Sequence, residues 1–275
     1  MEKEPKQEIE EVIVIEETIS SQDKPNSNEN KLSIPVAIIV VGVLIAGAIL
    51  LSGNRTPGPV NIPVDNNSGT VANSLAPVGK DDRVLGNSNA KLALIMYEDF
   101  QCPYCGAISG FMPNNAPLML ALRGQDPNWT PFTPEIINNY VKNGDVLFVY
   151  RDFAFLGSES TRAAEAARCA EDQGKFWEYH DYLYGRQNGE NQGTFSDQNL
   201  KSFAVNLGLN ATAFNQCLDS GKHAQEVADS KIEATNAGVN GTPKGYILKD
   251  GKIVNTIEGA EPLSTVKPKI EAALK

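Results

Sequence analysis

Side chains that bind metals are scarce in this 275-residue sequence, which has two histidines and four cysteines. A single CxxC, Cys102-Pro-Tyr-Cys105, stands without a second CxxC or an HxxxH. A four-ligand zinc site would have to recruit Cys169, Cys217, His180 or His223, all distant in sequence. Positive charge is also thin, with 24 Lys and Arg against 34 Asp and Glu, a net charge of −10. No basic stripe is available to offset phosphate repulsion, which excludes nucleic acid as a partner. Internal repeats are missing too. Hydrophobic residues at 41% are enough for a core, and the length suits one sizeable domain with extensions.

The ends of the chain differ in composition. Residues 1–33 carry nine acidic side chains and four lysines with few aromatics, the composition of a disordered tail. The stretch 34–51, IPVAIIVVGVLIAGAILL, is 18 residues without a charge. As a helix it would be about 27 Å long, close to the hydrocarbon thickness of about 30 Å. A cleaved signal peptide would need a short basic leader, and the one here is long and acidic. The expectation is a retained single-pass anchor, a signal-anchor with the N-terminus cytoplasmic and the rest extracytoplasmic. Lys24 and Lys31 before it and Arg55 after it favour that orientation slightly. Residues 52–79, rich in Pro, Gly, Asn and Ser, read as a flexible linker with an r.m.s. span of about 30 Å.

The folded part is expected over 80–275. LALIMY (92–97) and VLFVY (146–150) are runs suited to buried strands. YIL (246–248) and KIVNTI (252–257), joined by Asp250-Gly251, form a hairpin. Between them lies a helical block: TRAAEAARCAEDQG (161–174), FWEYHDYLY (176–184) and three further helices, an insertion spanning about 157–237. Val266, Ile270 and Leu274 at four-residue spacing mark a closing amphipathic helix. The fold class is therefore α/β, a small mixed sheet interrupted by a helical subdomain.

A strand that runs into CxxC at a helix start has a chemical consequence. Free N–H groups and the positive end of the helix favour a thiolate on the first cysteine. The second cysteine, one turn on, can resolve a mixed disulfide. Half of a zinc site and a purely structural bridge are the other readings of such a pair.

A second element lies 140 residues on, in GVNGTPKGY (238–246). There Thr242-Pro243 precedes a strand, and a proline fits a strand only at its first residue. Taken together, DRVLGNSNAKLALIMYEDFQCPYCG, VLFVYRDFAFLG, AAEAARCAEDQGKFWEYHDYLY, FNQCLDSGKHAQEVADS and GVNGTPKGYILKDGK resemble the DsbA-type thiol–disulfide oxidoreductases over residues 80–275. The resemblance implies a thioredoxin fold with an inserted helical subdomain and a cis Thr242-Pro243 peptide facing the CxxC and binding substrate. It implies a nucleophilic Cys102 and a resolving Cys105. With those two as the redox pair, Cys169 and Cys217 are left to form a structural disulfide, two buried free thiols being the alternative.

Three features depart from the family. Pro103 and Tyr104 stand where the best-known oxidases carry a histidine, so Cys102 should be less acidic and the pair less oxidising. Many thioredoxin-fold proteins have a buried acid six residues before the first cysteine. Here that position is Met96, with Glu98 and Asp99 nearer the site. Residues 111–136 read as an insertion, whose Trp129 and Phe132 are assigned to packing rather than to the rim of the site. Packing is also the reading for His180, and a cap or solvent position for His223. Arg151 and Asp152 are read as a structural ion pair.

The resulting expectation is a monomeric, membrane-anchored thiol–disulfide oxidoreductase that introduces disulfides into secreted or membrane proteins with cysteines. The resemblance implies no cofactor, and reoxidation by a membrane quinone-linked partner of the DsbB or VKOR kind. A disulfide isomerase or reductase is the near alternative. A non-catalytic, peptide-binding chaperone module is the alternative of a different class.

Overall fold

A computed structural model describes residues 75–112 and 116–275. The acidic tail, the apolar span 34–51 and most of the linker lie outside the described residues. Among the described residues, no helix is long and apolar enough to cross a membrane.

Five strands form one sheet: β1 (Arg83–Leu85), β2 (Leu92–Glu98), β3 (Val146–Asp152), β4 (Lys244–Lys249) and β5 (Lys252–Glu258), in the order β1-β3-β2-β4-β5. Central β2 pairs parallel with β3, Leu94 opposite Phe148, and antiparallel with β4, Met96 opposite Gly245. Both faces of β2 are covered, which is why LALIMY is continuously apolar. Leu92, Leu94 and Met96 join the larger core, while Ile95 and Tyr97 point to the smaller one on the other face. A side chain at Gly245 is impossible without movement, since a Cβ there would lie 2.7 Å from the Met96 sulfur. The β4–β5 hairpin turns on Asp250 and Gly251, both with positive φ. That is the turn type that matches strand twist.

Helices α1 (Pro103–Ser109), α2 (Pro117–Gln125) and α3 (Thr133–Ile136, continued by a wider turn over Ile137–Val141) lie between β2 and β3. The helical block after β3 is α4 (Ser158–Glu171), α5 (Phe176–Tyr184), α6 (Asp197–Asn206), α7 (Ala211–Ser220) and α8 (Ala224–Asn236), and α9 (Leu263–Leu274) closes the chain. The alanine-rich α4 brings small residues to the larger core, where Ala163, Ala166, Ala167 and Ala170 are fully buried. Buried Val266 and Ile270 of α9 seal the same core. The smaller core lies between the other sheet face, Ala234 of α8 and Ala237 beyond it, and half-buried Leu75 and Val78. Composition places Leu75 and Val78 in the linker, yet they pack against the sheet.

Two charged assignments are corrected. Arg151 and Asp152 do not pair with each other, because neighbours in a strand point to opposite faces. Arg151 grips Asp82 through two bonds of 2.7 and 2.9 Å and also reaches Glu233. Asp152 is held by Arg168 of α4 at 2.6 Å. His223 neither caps α8 through its side chain nor faces solvent. It is buried between Asp172 (3.0 Å) and Glu226 (3.1 Å).

Cys169 and Cys217 form a disulfide between α4 and α7, 48 residues apart in sequence. In the chain-entropy description, closing a 48-residue loop stabilises the fold by about 4 kcal/mol. The double variant Cys169→Ala/Cys217→Ala should lose about that much in urea unfolding followed by tryptophan fluorescence. An unchanged midpoint would show that the denatured chain is not loosened by losing the bridge.

Candidate active site

The site begins where β2 ends. Asp99 turns the chain: its Oδ1 accepts the Gln101 N–H at 2.8 Å and the Ser160 hydroxyl at 2.6 Å. Its Oδ2 accepts the N–H groups of Phe155 and Leu156 at 2.9 and 3.1 Å. One buried carboxylate thus ties the end of β2 to the turn between β3 and α4. Burial leaves the Asp99 carboxyl above its ordinary value, although these hydrogen bonds pull it down. Cys102 follows in extended conformation as the residue before α1, and Pro103 starts the helix where a missing N–H does no harm. Gln187 donates to the carbonyls of Phe100 and Cys102. Its side-chain oxygen occupies the space a Cβ on Gly106 would need.

Cys102 and Cys105 are both free thiols and both buried, at 4% and 0% exposure. Their environments push them apart. Hydrogen bonding from the Cys105 thiol is the main influence lowering Cys102, and the N–H groups of Cys105 and Tyr104 add to it against the opposing effect of burial. Cys105 is held well above the usual thiol range, first by burial, then by the hydrogen bond to Cys102 and the nearby charges of Cys102 and Glu98. Across from them, the Thr242-Pro243 peptide is cis. The Cys102 thiol donates to the Thr242 carbonyl oxygen at 3.3 Å. Cys102 and Thr242, 140 positions apart in the chain, therefore meet where central β2 ends and β4 begins. Tyr104, between the two cysteines, is exposed.

A buried carboxyl whose charge acts on Cys105 lies nearby. Glu98 is 3% exposed. Burial pushes its carboxyl up to about 7, while the charge of His180 and a hydrogen bond from Tyr184 pull it down. The Tyr184 hydroxyl donates to Glu98 Oε2 at 2.7 Å. Glu98 lies two residues beyond Met96 and so shares its face of β2. An acid moved by two positions still faces the thiols, a pattern readable in YEDFQ only with the strand register known. A carboxyl near neutrality next to a high thiol can give or take the proton of Cys105.

Trp129 and Phe132 are core residues, as expected. Both are buried, and the indole N–H of Trp129 donates to the Ala260 carbonyl at 2.9 Å. Among the described residues, the side chains close enough together to share a metal ion are Cys169, Cys217 and His223, and both of those sulfurs are in the disulfide. Neither CPYC thiol belongs to that group.

The thioredoxin family model Thioredoxin_4 matches residues 79–110 and 128–266. The chain belongs to this thioredoxin family. The unmatched gap falls within the stretch read as an insertion. Alpha-DsbA1 of Wolbachia pipientis superposes with a TM-score of 0.58 at 22% identity, covering 74% of this chain and 95% of that one. BdbD of Bacillus subtilis gives 0.57 at 23% identity, covering 72% and 95%. DsbA of Chlamydia trachomatis gives 0.54 at 16% identity, covering 71% and 92%. The fold is thus the DsbA-type elaboration of thioredoxin, with the helical block inserted. Among curated relatives, Na(+)/H(+) antiporter NhaA 1 of Salinispora arenicola is 26% identical over 226 residues, 81% of this chain and 30% of that protein. NhaA of Herminiimonas arsenicoxydans is 24% identical over 192 residues, 70% of this chain and 25% of that protein. The chain therefore spans less than a third of the length of these relatives. The chain is thus a member of the thioredoxin family on this fold, with a dithiol whose two sulfurs are pushed to unequal acidity.

Glu98 also links the site to stability. Its folded-state value, about 7, lies above the ordinary 4.5, so the folded state binds the extra proton. The stability this confers is complete below pH 4.5 and is lost as pH rises through about 7. Full loss corresponds to about 3 kcal/mol. Glu98→Gln does not titrate, so its stability relative to wild type should rise by about that amount between pH 4.5 and 8. Urea unfolding at a series of pH values measures the difference, and a flat one would place the Glu98 carboxyl at its ordinary value.

Proposed function

We propose that the chain is a membrane-tethered, extracytoplasmic oxidoreductase that introduces disulfides into secreted or membrane proteins bearing cysteines. The observation that carries this reading is the free Cys102–Cys105 pair at the start of α1, with the Cys102 sulfur 3.3 Å from the Thr242 carbonyl beside the cis Thr242-Pro243 peptide. In the oxidised pair, a substrate thiolate attacks Cys102, and the electron pair of the broken bond stays on Cys105. Cys105 is buried and held high, so it takes a proton from Glu98. A second substrate thiolate then displaces Cys102, which leaves as the more stable thiolate. Thr242 and Pro243 supply the backbone edge on which the substrate peptide lies.

The tether rests on the uncharged run 34–51. The antiporters named among the relatives suit a setting at a membrane, and their ion transport is not extended to this chain. Reoxidation falls to a membrane quinone-linked partner of the DsbB or VKOR kind, by analogy with the family. Pro103 and Tyr104 bring no cation to the Cys102 thiolate, so the pair should be a weaker oxidant than one with histidine between the cysteines. For a two-electron couple about 30 mV is equivalent to about 1.4 kcal/mol, or one pKa unit of thiolate stabilisation.

The test is the reduction potential of the full chain in detergent, equilibrated in glutathione buffers. A value of about −120 to −200 mV suits a net oxidase or isomerase, and about −270 mV, as in thioredoxin, would reverse the direction to reduction. Cys102→Ser should abolish exchange, and Cys105→Ser should accumulate a mixed disulfide with a cysteine peptide. A Cys102→Ser protein that kept full cellular function would leave only the peptide-binding reading.

A further inference from the structure

Cys105 has no exposed surface and Glu98 almost none, so a proton passed between them needs a way to water. His180 stands next to that pair. Its ring packs edge-on to Tyr184 at 4.9 Å and to Tyr150 at 5.1 Å, with Phe100 at 5.7 Å and Trp177 at 5.2 Å completing the enclosure. Its Nε2 is buried without a hydrogen-bond partner, and so is the Tyr150 hydroxyl. Its Nδ1 lies 2.8 Å from Asp181 Oδ1, and the Asp181 side chain is 47% exposed. The ring thus touches Tyr184, whose hydroxyl donates to Glu98, while its Nδ1 meets a carboxylate that is half exposed to water.

A histidine kept only for packing is hard to reconcile with this arrangement. A buried, unpartnered ring nitrogen is destabilising, and a phenylalanine would fill the same cage without it. An imidazole can accept a proton on one nitrogen and release another from the second. The titratable groups whose charges act in the pocket are Glu98 from β2, Tyr150 and Asp152 from β3, Asp99 and Cys102 ahead of α1, Cys105 from α1, and Tyr184 and Asp181 from α5 itself. The charge of His180 acts on Glu98, and those of Glu98 and Cys105 act on both tyrosines.

We propose that His180 and Asp181 form the proton passage between buried Glu98 and solvent, completing the path from Cys105 to Glu98, His180, Asp181 and water. The proposal rests on thiol–disulfide exchange at Cys102–Cys105. When a substrate thiolate attacks Cys102, the Cys102–Cys105 bond breaks, its electron pair goes to Cys105, and Glu98 protonates that sulfur. Solvent then reprotonates Glu98 through Asp181 and His180. During reoxidation Cys105 loses its proton to Glu98, and the same passage carries it outward. His180 and Asp181 act through Glu98 and touch neither substrate nor sulfur.

The test is stopped-flow reduction of the oxidised full chain by a cysteine peptide, from pH 5 to 9. His180→Gln keeps the bulk but not the two exchangeable ring nitrogens, and should slow the reaction about ten-fold or more near neutral pH. Asp181→Asn, at the surface, should slow it in the same direction with an unchanged melting temperature. Asp181→Glu should restore the wild-type rate, and added imidazole buffer should accelerate Asp181→Asn in proportion to its concentration. Wild-type rates and pH profiles in both His180→Gln and Asp181→Asn would overturn the passage. So would slowing that follows loss of stability and ignores both imidazole and the glutamate variant. A wild-type protein inert towards the peptide would instead overturn the exchange reading, and the passage with it.

Discussion

The Asp99 carboxylate is the contact on which the rest of the site depends. It sits one residue beyond the central strand, is 1% exposed, and accepts four hydrogen bonds: three backbone N–H groups and the Ser160 hydroxyl. Burying a carboxylate is costly unless its lone pairs are satisfied, and here the donors come from both sides of the β2–β3 junction. Without it, the N–H groups of Phe155 and Leu156 lose their acceptor and the turn into Cys102 loses its brace. The direction of α1, and therefore the position of both thiols relative to Thr242, follows from that brace.

Around it the protein uses burial as a chemical instrument. Low polarity disfavours every charged form, so Cys105 and Glu98 both rise. Two acids raised by the same cause can exchange a proton even though one is a thiol and the other a carboxyl. Cys102 escapes because hydrogen-bond donors from Cys105 and the first turn of α1 converge on its sulfur. A single low-dielectric pocket thus yields one lowered thiol, one raised thiol and a raised carboxyl whose charge acts on both. Tyr184 and His180 belong to the same pocket, which makes the aromatic face of α5 part of the chemistry as well as of the core.

Charge is handled differently away from the thiols. Arg151 joins Asp82, Glu233 and the carbonyls of Ala76 and Pro77. Arg168 joins Asp152, Glu226 and Ser230. These networks fasten the start of the described chain and α8 to the sheet, and each buried guanidinium has its donors met. The disulfide between α4 and α7 holds the helical block from the other end.

Much of this was legible in the sequence wherever a single element decides. Continuous apolar runs marked β2 and β3 because both faces of a central strand are covered, and Asp250-Gly251 marked the hairpin because the turn needs two positive φ angles. The CxxC directly after the β2 run marked the start of α1. Tertiary structure decided the rest, because it depends on which elements face each other. Glu98 became the proton partner only when the register of β2 set it on the face of Met96 and against α1 and α5. Arg151 and Asp152 separated because adjacent strand residues diverge to different layers. His223 was drawn inward by Asp172, just past the end of α4, and Glu226 of α8. Local sequence specifies each element's own hydrogen bonds and apolar face. The acidity of a buried group is a sum over neighbours that only folding assembles.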